Sequence, residues 1–193
     1  MTVTIGFSGA ACSGKTTLVR ELADVFSKDY KVKTITDVAR KSSMGLSLDE
    51  IRSSSTLLYQ YEKNILGNYI LELENIGYKE YDLILTDRTF LDILLYVVTY
   101  MDYFSLIRFV NEFEHMLNQQ TAYFDMTFIV SPLDMPILDT FRSSDDVALQ
   151  DFHYNLLKTW AKSIPHEIIE TKDLGARIEM CSKIIRDLLA DNL

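Results

Sequence analysis

Short apolar runs alternate along the chain with longer segments in which apolar residues recur every three to four positions. The short runs are rich in Val, Ile, Thr and Phe and predict β-strands; they are Thr2–Phe7, Lys31–Thr36, Tyr81–Thr86, Met126–Val130 and Glu167–Ile169. The periodic segments predict amphipathic helices; they are Lys15–Phe26, Leu48–Asn75, Leu91–Met101, Ser105–Gln119, Val147–Lys162 and Ala176–Leu189. In the longest of these helices, Gly67 predicts a kink.

This alternation of strands and helices predicts an α/β fold. Strand–helix–strand units favour parallel neighbours, so we expect a three-layer α/β/α architecture with a parallel sheet of about five strands. The prolines Pro132, Pro136 and Pro165 all fall in connections, and no repeat, low-complexity stretch or linker interrupts the sequence. Residues 1–193 are therefore predicted to form a single domain.

Composition narrows the classes of function. The chain has 193 residues, with 19 Lys plus Arg against 28 Asp plus Glu and a net charge of −9. The two cysteines, Cys12 and Cys181, rule out a disulfide scaffold, and the three histidines lack the spacing of zinc ligands. The acidic balance disfavours a protein whose main role is binding nucleic acid, although a short oligonucleotide end needs only a local basic patch.

No segment of the sequence predicts a membrane span or a secretory signal. The longest apolar run without a charge lies between Asp92 and Asp102, which is too short because a spanning helix needs about 20 residues. Met1–Phe7 lacks the basic start of a signal peptide and leads directly into a glycine loop. We therefore expect a cytoplasmic protein without a membrane partner.

The loop between the first strand and the first helix carries the motif G-x-x-x-x-G-K-[ST], followed by Thr17. Its residues are Gly9, Ala10, Ala11, Cys12, Ser13, Gly14, Lys15 and Thr16. Glycines let successive backbone N–H groups point at phosphate oxygens, and the helix adds its positive N-terminal end. Lys15 can reach the outer phosphates, and the Thr16 hydroxyl can bind Mg²⁺. A strand-to-helix turn can match the motif by chance, but the strand before it and the helix after it favour nucleotide binding.

Two carboxylates follow predicted strands. Asp37 comes after the second strand, and Asp87 comes directly after the third. Ligands of open α/β sheets bind at the carboxyl ends of the strands, so Asp87 can hold Mg²⁺; alternatively, it caps the helix that starts near Phe90. Arg88 is predicted to meet a phosphate or a substrate carboxylate, with an internal salt bridge as the alternative.

Together, these motifs resemble the P-loop nucleoside and nucleotide kinases, a group that includes deoxynucleoside kinases, nicotinamide riboside kinase and AAA_28-type phage kinases. The resemblance runs from about Thr2 to Glu170 and implies a P-loop NTPase fold with a short lid. Asp37 lies where those kinases place the carboxylate that takes the proton from the acceptor hydroxyl. Asp87-Arg88-Thr89 is similar to their E-R-S or D-R-S motif, with the carboxylate toward metal and the arginine toward phosphates.

The resemblance also implies acceptor and lid residues. Gln60 lies in a helical segment similar to one whose glutamine reads the base edge, although a surface position is the alternative. Asp139-Thr140-Phe141-Arg142-Ser143-Ser144 falls where the family carries a mobile arginine lid, here at approximately residues 133–147. Arg40 and Asp92 are further candidates for acceptor binding. The chain departs from the family in having Asp rather than Glu at Asp37 and a single arginine in the lid.

These candidates predict an ATP- and Mg²⁺-dependent kinase that transfers the γ-phosphoryl group to a nucleoside or nucleotide-like acceptor. Lys15, expected to be exposed, would neutralise phosphate oxygens together with Arg88 and Arg142, and Thr16 with Asp87 would hold Mg²⁺. If Asp37 has no basic neighbours, it can act as a general base, which would favour an acceptor with a hydroxyl group. Arg40, Lys41 and Arg52 lie near Asp37 in sequence. If they cluster around it, they would favour a monophosphate acceptor; the alternative is that they form a solvated edge.

Two other functions remain open. One is a kinase of a hydroxyl on a modified base in DNA or on a polynucleotide, which the net charge disfavours. The other is a P-loop ATPase or GTPase switch, for which the guanine-reading N/T-K-x-D element is missing apart from the near match Thr171-Lys172-Asp173. The expected partner is a small-molecule acceptor, and a homodimer is left open.

Overall fold

Five parallel strands form one sheet with the order β2-β3-β1-β4-β5. The structure is a computed structural model that describes residues 2–43, 45–77, 80–134 and 147–191. The strands are β1 (Val3–Ser8), β2 (Val32–Ile35), β3 (Leu83–Thr86), β4 (Met126–Val130) and β5 (His166–Ile169). The predicted α/β fold with a five-stranded parallel sheet is confirmed.

The helices lie on both faces of this sheet. They are α1 (Lys15–Phe26), α2 (Val38–Lys41), α3 (Leu48–Arg52), α4 (Ser55–Glu74), α5 (Phe90–Tyr100), α6 (Tyr103–Leu117), α7 (Gln120–Tyr123), α8 (Val147–Trp160) and α9 (Leu174–Asp191). On one face, α1 and α9 pack against Val3, Ile5 and Phe7 of β1. On the other face, α4, α5, α6 and α8 cover Ile84 of β3 and Ile129 of β4. The alternation of strand residues between two cores produces three layers.

Strand register brings the carboxyl ends of the central strands to one edge. Gly6 of β1 and Ile35 of β2 both align with Thr86 of β3. A Cβ atom on Gly6 would lie 2.4 Å from Cγ2 of Thr89 and 3.0 Å from the Phe124 ring. Glycine at this position therefore lets the start of α5 approach β1 closely, next to the loop that follows the strand.

The predicted helix Leu48–Asn75 is divided in the structure. It breaks after Arg52, and Ser54 caps α4 by accepting a hydrogen bond from the Leu57 N–H. The kink expected at Gly67 is wrong, because α4 continues as a helix through this residue. The short helices α2 and α7 were not predicted. The predicted lid falls largely on residues 135–146, outside the described residues.

Within the described ranges, no helix combines the length and the apolar character needed to cross a membrane.

Candidate functional site

The loop between β1 and α1 folds into a left-handed turn that suits an anion. Cys12 and Gly14 both have positive φ angles, of 58° and 84°. Successive residues with alternating handedness direct neighbouring N–H groups to one side. Gly14 is the N-cap of α1 and provides no side-chain cap, whereas Ser47, Ser54 and Thr89 cap α3, α4 and α5 through their hydroxyls. The first amides of α1 are thus available to a phosphate group.

Lys15 is buried rather than exposed, so that expectation was wrong. Its Nζ donates hydrogen bonds to the carbonyl oxygens of Gly9 at 2.6 Å and Ala10 at 2.9 Å. It also lies 3.8 Å from Oδ1 of Asp92. The side chain folds back over its own loop because these carbonyl oxygens are the nearest acceptors. Lys15 nevertheless lines the cleft beside the loop.

Thr16 and Asp87 lie side by side. The Thr16 hydroxyl donates a hydrogen bond of 2.7 Å to Oδ2 of Asp87. Asp87 does not cap α5, because Thr89 is the N-cap and forms a capping box with Asp92. A hydroxyl and a carboxylate are the oxygen ligands that Mg²⁺ accepts alongside nucleotide phosphates. In the described part of the chain, no group of three or more His, Cys, Asp or Glu residues forms a separate metal site.

Asp92 lies beneath the loop, which corrects its predicted place in the acceptor site. Its side chain is only 1% exposed. Oδ2 accepts hydrogen bonds from the Ser8 hydroxyl at 2.8 Å and the Thr89 N–H at 2.9 Å, and Oδ1 accepts one from the Gly9 N–H at 3.2 Å. One buried carboxylate therefore joins the end of β1, the loop and the turn before α5. Its oxygens are occupied by these donors and do not face the cleft.

Asp37 forms an ion pair that the sequence reading missed. It follows β2 with a φ angle of 62° and is the N-cap of α2. Its Oδ2 accepts a hydrogen bond of 3.0 Å from Nη2 of Arg20, on α1. Arg20 lies one helical turn after Thr16 and thus on the same face of α1. This i, i+4 spacing was the available signal that Arg20 belongs to the site.

One cleft, of about 690 Å³, is lined by Lys15, Thr16, Arg20 and Asp37, whereas Asp87 and Asp92 are not among its lining residues. The loop from Cys12 to Thr17 forms one wall, and Asp37, Arg20 and Arg40 line it as well. Leu133, Lys172, Leu174 and Arg177 complete the described lining. A cleft of similar size, about 720 Å³, runs along β2; Lys41 lines it, but the phosphate loop, Asp37, Arg40 and Asp87 do not. The candidate site is therefore the cleft beside the loop.

Several predicted acceptor residues lie elsewhere. The side chain of Gln60 is exposed, donates a hydrogen bond of 2.9 Å to Oδ1 of Asn64, and does not line the cleft. Lys41 contacts Glu72 at 3.3 Å. Arg52 stacks over the Tyr100 ring at 4.1 Å. Of the three basic residues that could have clustered around Asp37, only Arg40 shares its cleft, together with Arg20.

Arg88 is half-buried, with its guanidinium 5.5 Å from the centre of the Tyr96 ring. Burial lowers the pKa of Arg88, but nearby Tyr96, Tyr61, Asp92 and Asp87 raise it by more, so the side chain is charged. No internal salt bridge of Arg88 occurs in the ranges that the structure describes. Its role toward phosphate stays a prediction, as does that of Arg142, which lies outside the described residues.

Glu62 on α4 is a second residue that the sequence reading missed. It is 2% exposed, and its Oε2 atom has no hydrogen-bond partner among the described residues. Burial raises the pKa of this carboxyl to about 8, although Arg88 and Arg52 act in the opposite direction. Glu62 therefore retains its proton at neutral pH, because a charged form would be poorly solvated there.

Comparison with known proteins identifies the family and the fold. A family model described as an AAA domain, AAA_28, matches residues 4–177, so the chain belongs to this family. No curated protein matches the chain. Among solved structures, it is similar to deoxyadenosine kinase from M. mycoides with products dCMP and a flexible dCDP bound, with a TM-score of 0.71 and 11% identity over 96% of this chain and 100% of that chain.

The same kinase with bound dCTP gives a TM-score of 0.68 at 12% identity, over 96% of this chain and 100% of that chain. A third similar structure is the NadR protein in complex with NR, with a TM-score of 0.59 at 17% identity, over 88% of this chain and 46% of that chain. At such identities the likeness shows the fold. The predicted P-loop kinase fold is confirmed.

Proposed function

We propose that this protein is an ATP-dependent kinase that transfers the γ-phosphoryl group to a nucleoside or nucleotide-like acceptor. The observation that carries the proposal is a single cleft with the phosphate loop on one wall and the carboxylate of Asp37 on another. The Thr16–Asp87 pair beside the loop supports the proposal. So does the fold shared with deoxyadenosine kinase, a structure of which contains dCMP and dCDP.

Each side chain has a defined task in this reaction. The loop amides and Lys15 bind the polyphosphate, and Thr16 and Asp87 would hold Mg²⁺, which supplies charge neutralisation when bound. The bond between the γ-phosphorus and its bridging oxygen breaks while an acceptor oxygen bonds to that phosphorus. Asp37 accepts the hydroxyl proton of the acceptor late in the transfer. Arg20 orients Asp37 through its 3.0 Å hydrogen bond.

The direct test incubates the folded protein with ATP, Mg²⁺ and a panel of nucleosides, nucleoside monophosphates and hydroxyl-bearing DNA. Mass spectrometry of the products would identify which acceptor gains a phosphoryl group. We expect transfer to at least one nucleoside or monophosphate. ATP binding without a product from any of these small acceptors would contradict the proposal, and a product only on DNA would favour the polynucleotide alternative.

Asp37→Asn should retain ATP binding and lower the kcat of transfer to a hydroxyl acceptor by roughly 100-fold, because the amide cannot take the proton. Steady-state kinetics and calorimetry with ATP check the two parts of this prediction. Asp24→Asn, an exposed change on α1, is the matched control and should leave both values unchanged. Normal transfer by Asp37→Asn would instead indicate an acceptor that is already anionic, such as a phosphate.

Asp87→Asn should raise the Mg²⁺ concentration needed for half-maximal turnover by roughly 10-fold or more, because the site loses a charged oxygen ligand. The measurement is the transfer rate across a Mg²⁺ titration at saturating ATP. Asp151→Asn on the exposed side of α8 is the control. An unchanged Mg²⁺ dependence would mean that Asp87 serves only to bind the Thr16 hydroxyl.

A further inference from the structure

Arg177, in the first turns of α9, is the largest fully buried side chain among the described residues and takes no part in the function proposed above. Its Nε donates to the Thr171 carbonyl at 2.7 Å and its Nη1 to the Ser13 carbonyl at 2.7 Å. Its Nη2 donates to the Ser131 carbonyl at 2.9 Å and to the Ser131 hydroxyl at 3.1 Å. One guanidinium therefore joins the phosphate loop, the end of β4 and the turn before α9.

The bond to Ser13 has a direct consequence for the loop. In a planar trans peptide, the C=O and the following N–H point in opposite directions. Because Arg177 holds the Ser13 carbonyl, the Gly14 N–H must point away from Arg177. Gly14 is the N-cap of α1, and its N–H belongs to the set of amides that the loop motif presents to phosphate.

The charge of Arg177 is also unusual for its position. All of its hydrogen-bond acceptors are neutral oxygens. Within residues 2–43, 45–77, 80–134 and 147–191, no carboxylate forms an ion pair with it. A buried cation without a counterion is normally destabilising. A polyphosphate bound in the adjacent cleft, which Arg177 also lines, would supply the missing negative charge.

We propose that Arg177 is a positioning residue of the nucleotide site. It fixes the Ser13–Gly14 peptide with the Gly14 N–H directed at phosphate, and it places a permanent positive charge beside the loop. Its ligand class is the polyphosphate chain of a nucleoside diphosphate or triphosphate. The inference rests on the proposed function, because it assumes that this loop binds such a chain.

The test compares ADP binding by the wild-type protein, Arg177→Met, Arg177→Lys and the control Arg186→Met, using calorimetry. Arg177→Met should bind ADP roughly 10–100-fold more weakly, because it loses both the charge and the hydrogen bond to Ser13. Arg177→Lys keeps the charge but cannot reach all three segments. Its affinity for ADP should therefore lie between those of the wild type and Arg177→Met. Arg186 is exposed on the same helix, 5.7 Å from the Phe26 ring, and its replacement should change nothing.

Two further readouts separate positioning from a general loss of structure. In transfer assays, the KM for ATP should rise in Arg177→Lys while the KM for the acceptor stays constant. The affinity of Arg177→Met for ADP should also depend less on added salt than that of the wild type, because one cation has been removed. If Arg177→Met does not fold, Arg177→Lys alone decides the matter.

Wild-type ADP affinity in a folded Arg177→Met or Arg177→Lys would overturn the positioning role and leave the proposed function intact. A parallel rise of both KM values would also overturn it, because it would indicate a structural role only. Failure of the wild-type protein to bind ADP would overturn the proposed function and this inference together. The three results are therefore distinguishable.

Discussion

Lys15→Ala should lower the rate of phosphoryl transfer by roughly 1000-fold, because it removes a preorganised positive charge from the phosphate site. The Nζ of Lys15 is held inside the loop by the carbonyl oxygens of Gly9 and Ala10. Phosphate oxygens can replace these neutral acceptors and gain a stronger, charge-assisted bond. The measurement is the single-turnover rate at saturating ATP and acceptor.

The variant should remain folded, although its free energy of unfolding will fall, because breaking a buried ion pair is destabilising. Asp92 loses the cation 3.8 Å from its Oδ1, but it keeps the hydrogen bonds from Ser8, Gly9 and Thr89. Lys158→Ala, which affects an exposed contact with Glu170, is the matched control and should transfer at the normal rate. If Lys15→Ala retained more than about a tenth of the activity, the loop would not be the catalytic phosphate site.

Glu62→Gln should raise the melting temperature, and the gain should grow with pH. In the folded protein, burial raises the pKa of the Glu62 carboxyl to about 8, against an ordinary value of 4.5. Between these two values the unfolded chain has released a proton that the folded protein still binds. The stability of the wild-type protein therefore falls as pH rises through this window. Above this pH window the carboxyl is ionised in both states, and the folded protein is destabilised by the full free energy of burying its charge.

Glutamine is similar in size and cannot ionise, so it removes this penalty. The pKa difference sets an upper limit of about 5 kcal/mol at pH 9. We expect a gain of at least about 5 °C at that pH, since each kcal/mol shifts the melting temperature of a chain of this size by roughly 2–4 °C. At pH 4 the two proteins should melt at nearly the same temperature. Thermal denaturation from pH 4 to pH 9 measures the trend.

Glu72→Gln on the same helix is the control, because Glu72 is partly exposed and paired with Lys41. Its effect should be small and nearly constant above pH 5. The opposite outcome is also clear. If Glu62→Gln lost stability at every pH, Glu62 would be an ionised partner of Arg88 and Arg52 instead of a neutral carboxyl.

The strands and the phosphate loop could be predicted because their signals are local. Short apolar or alternating runs identified all five strands of the described residues, and the motif between β1 and α1 identified the loop. Once the sheet is parallel, the carboxyl ends of β2 and β3 must lie at one edge, which places Asp37 and Asp87 near the loop. The helix break at Ser54 also had a local signal, since serine is a frequent N-cap, but the apolar periodicity continues across it.

The features that the sequence did not predict depend mainly on packing between distant segments. Arg177 and Ser13 are 164 positions apart, and nothing near either residue indicates their contact. The burial of Glu62 and Asp92 follows from how α4 and α5 pack, and charged residues are ordinarily expected at the surface. Helices α2 and α7 have four residues each, too few for a 3.6-residue period to be recognised.

The hydrogen bonds of Asp92 have a consequence for the motion of the site. Because one buried carboxylate binds Ser8, Gly9 and Thr89 together, the phosphate loop and the turn that carries Asp87 form a rigid block. On the other wall, Asp37 contacts this block through an ion pair to Arg20, whose side chain is 62% exposed. We therefore expect any hinge that admits and releases ligands in the segment around α2, and smaller movements in the phosphate loop.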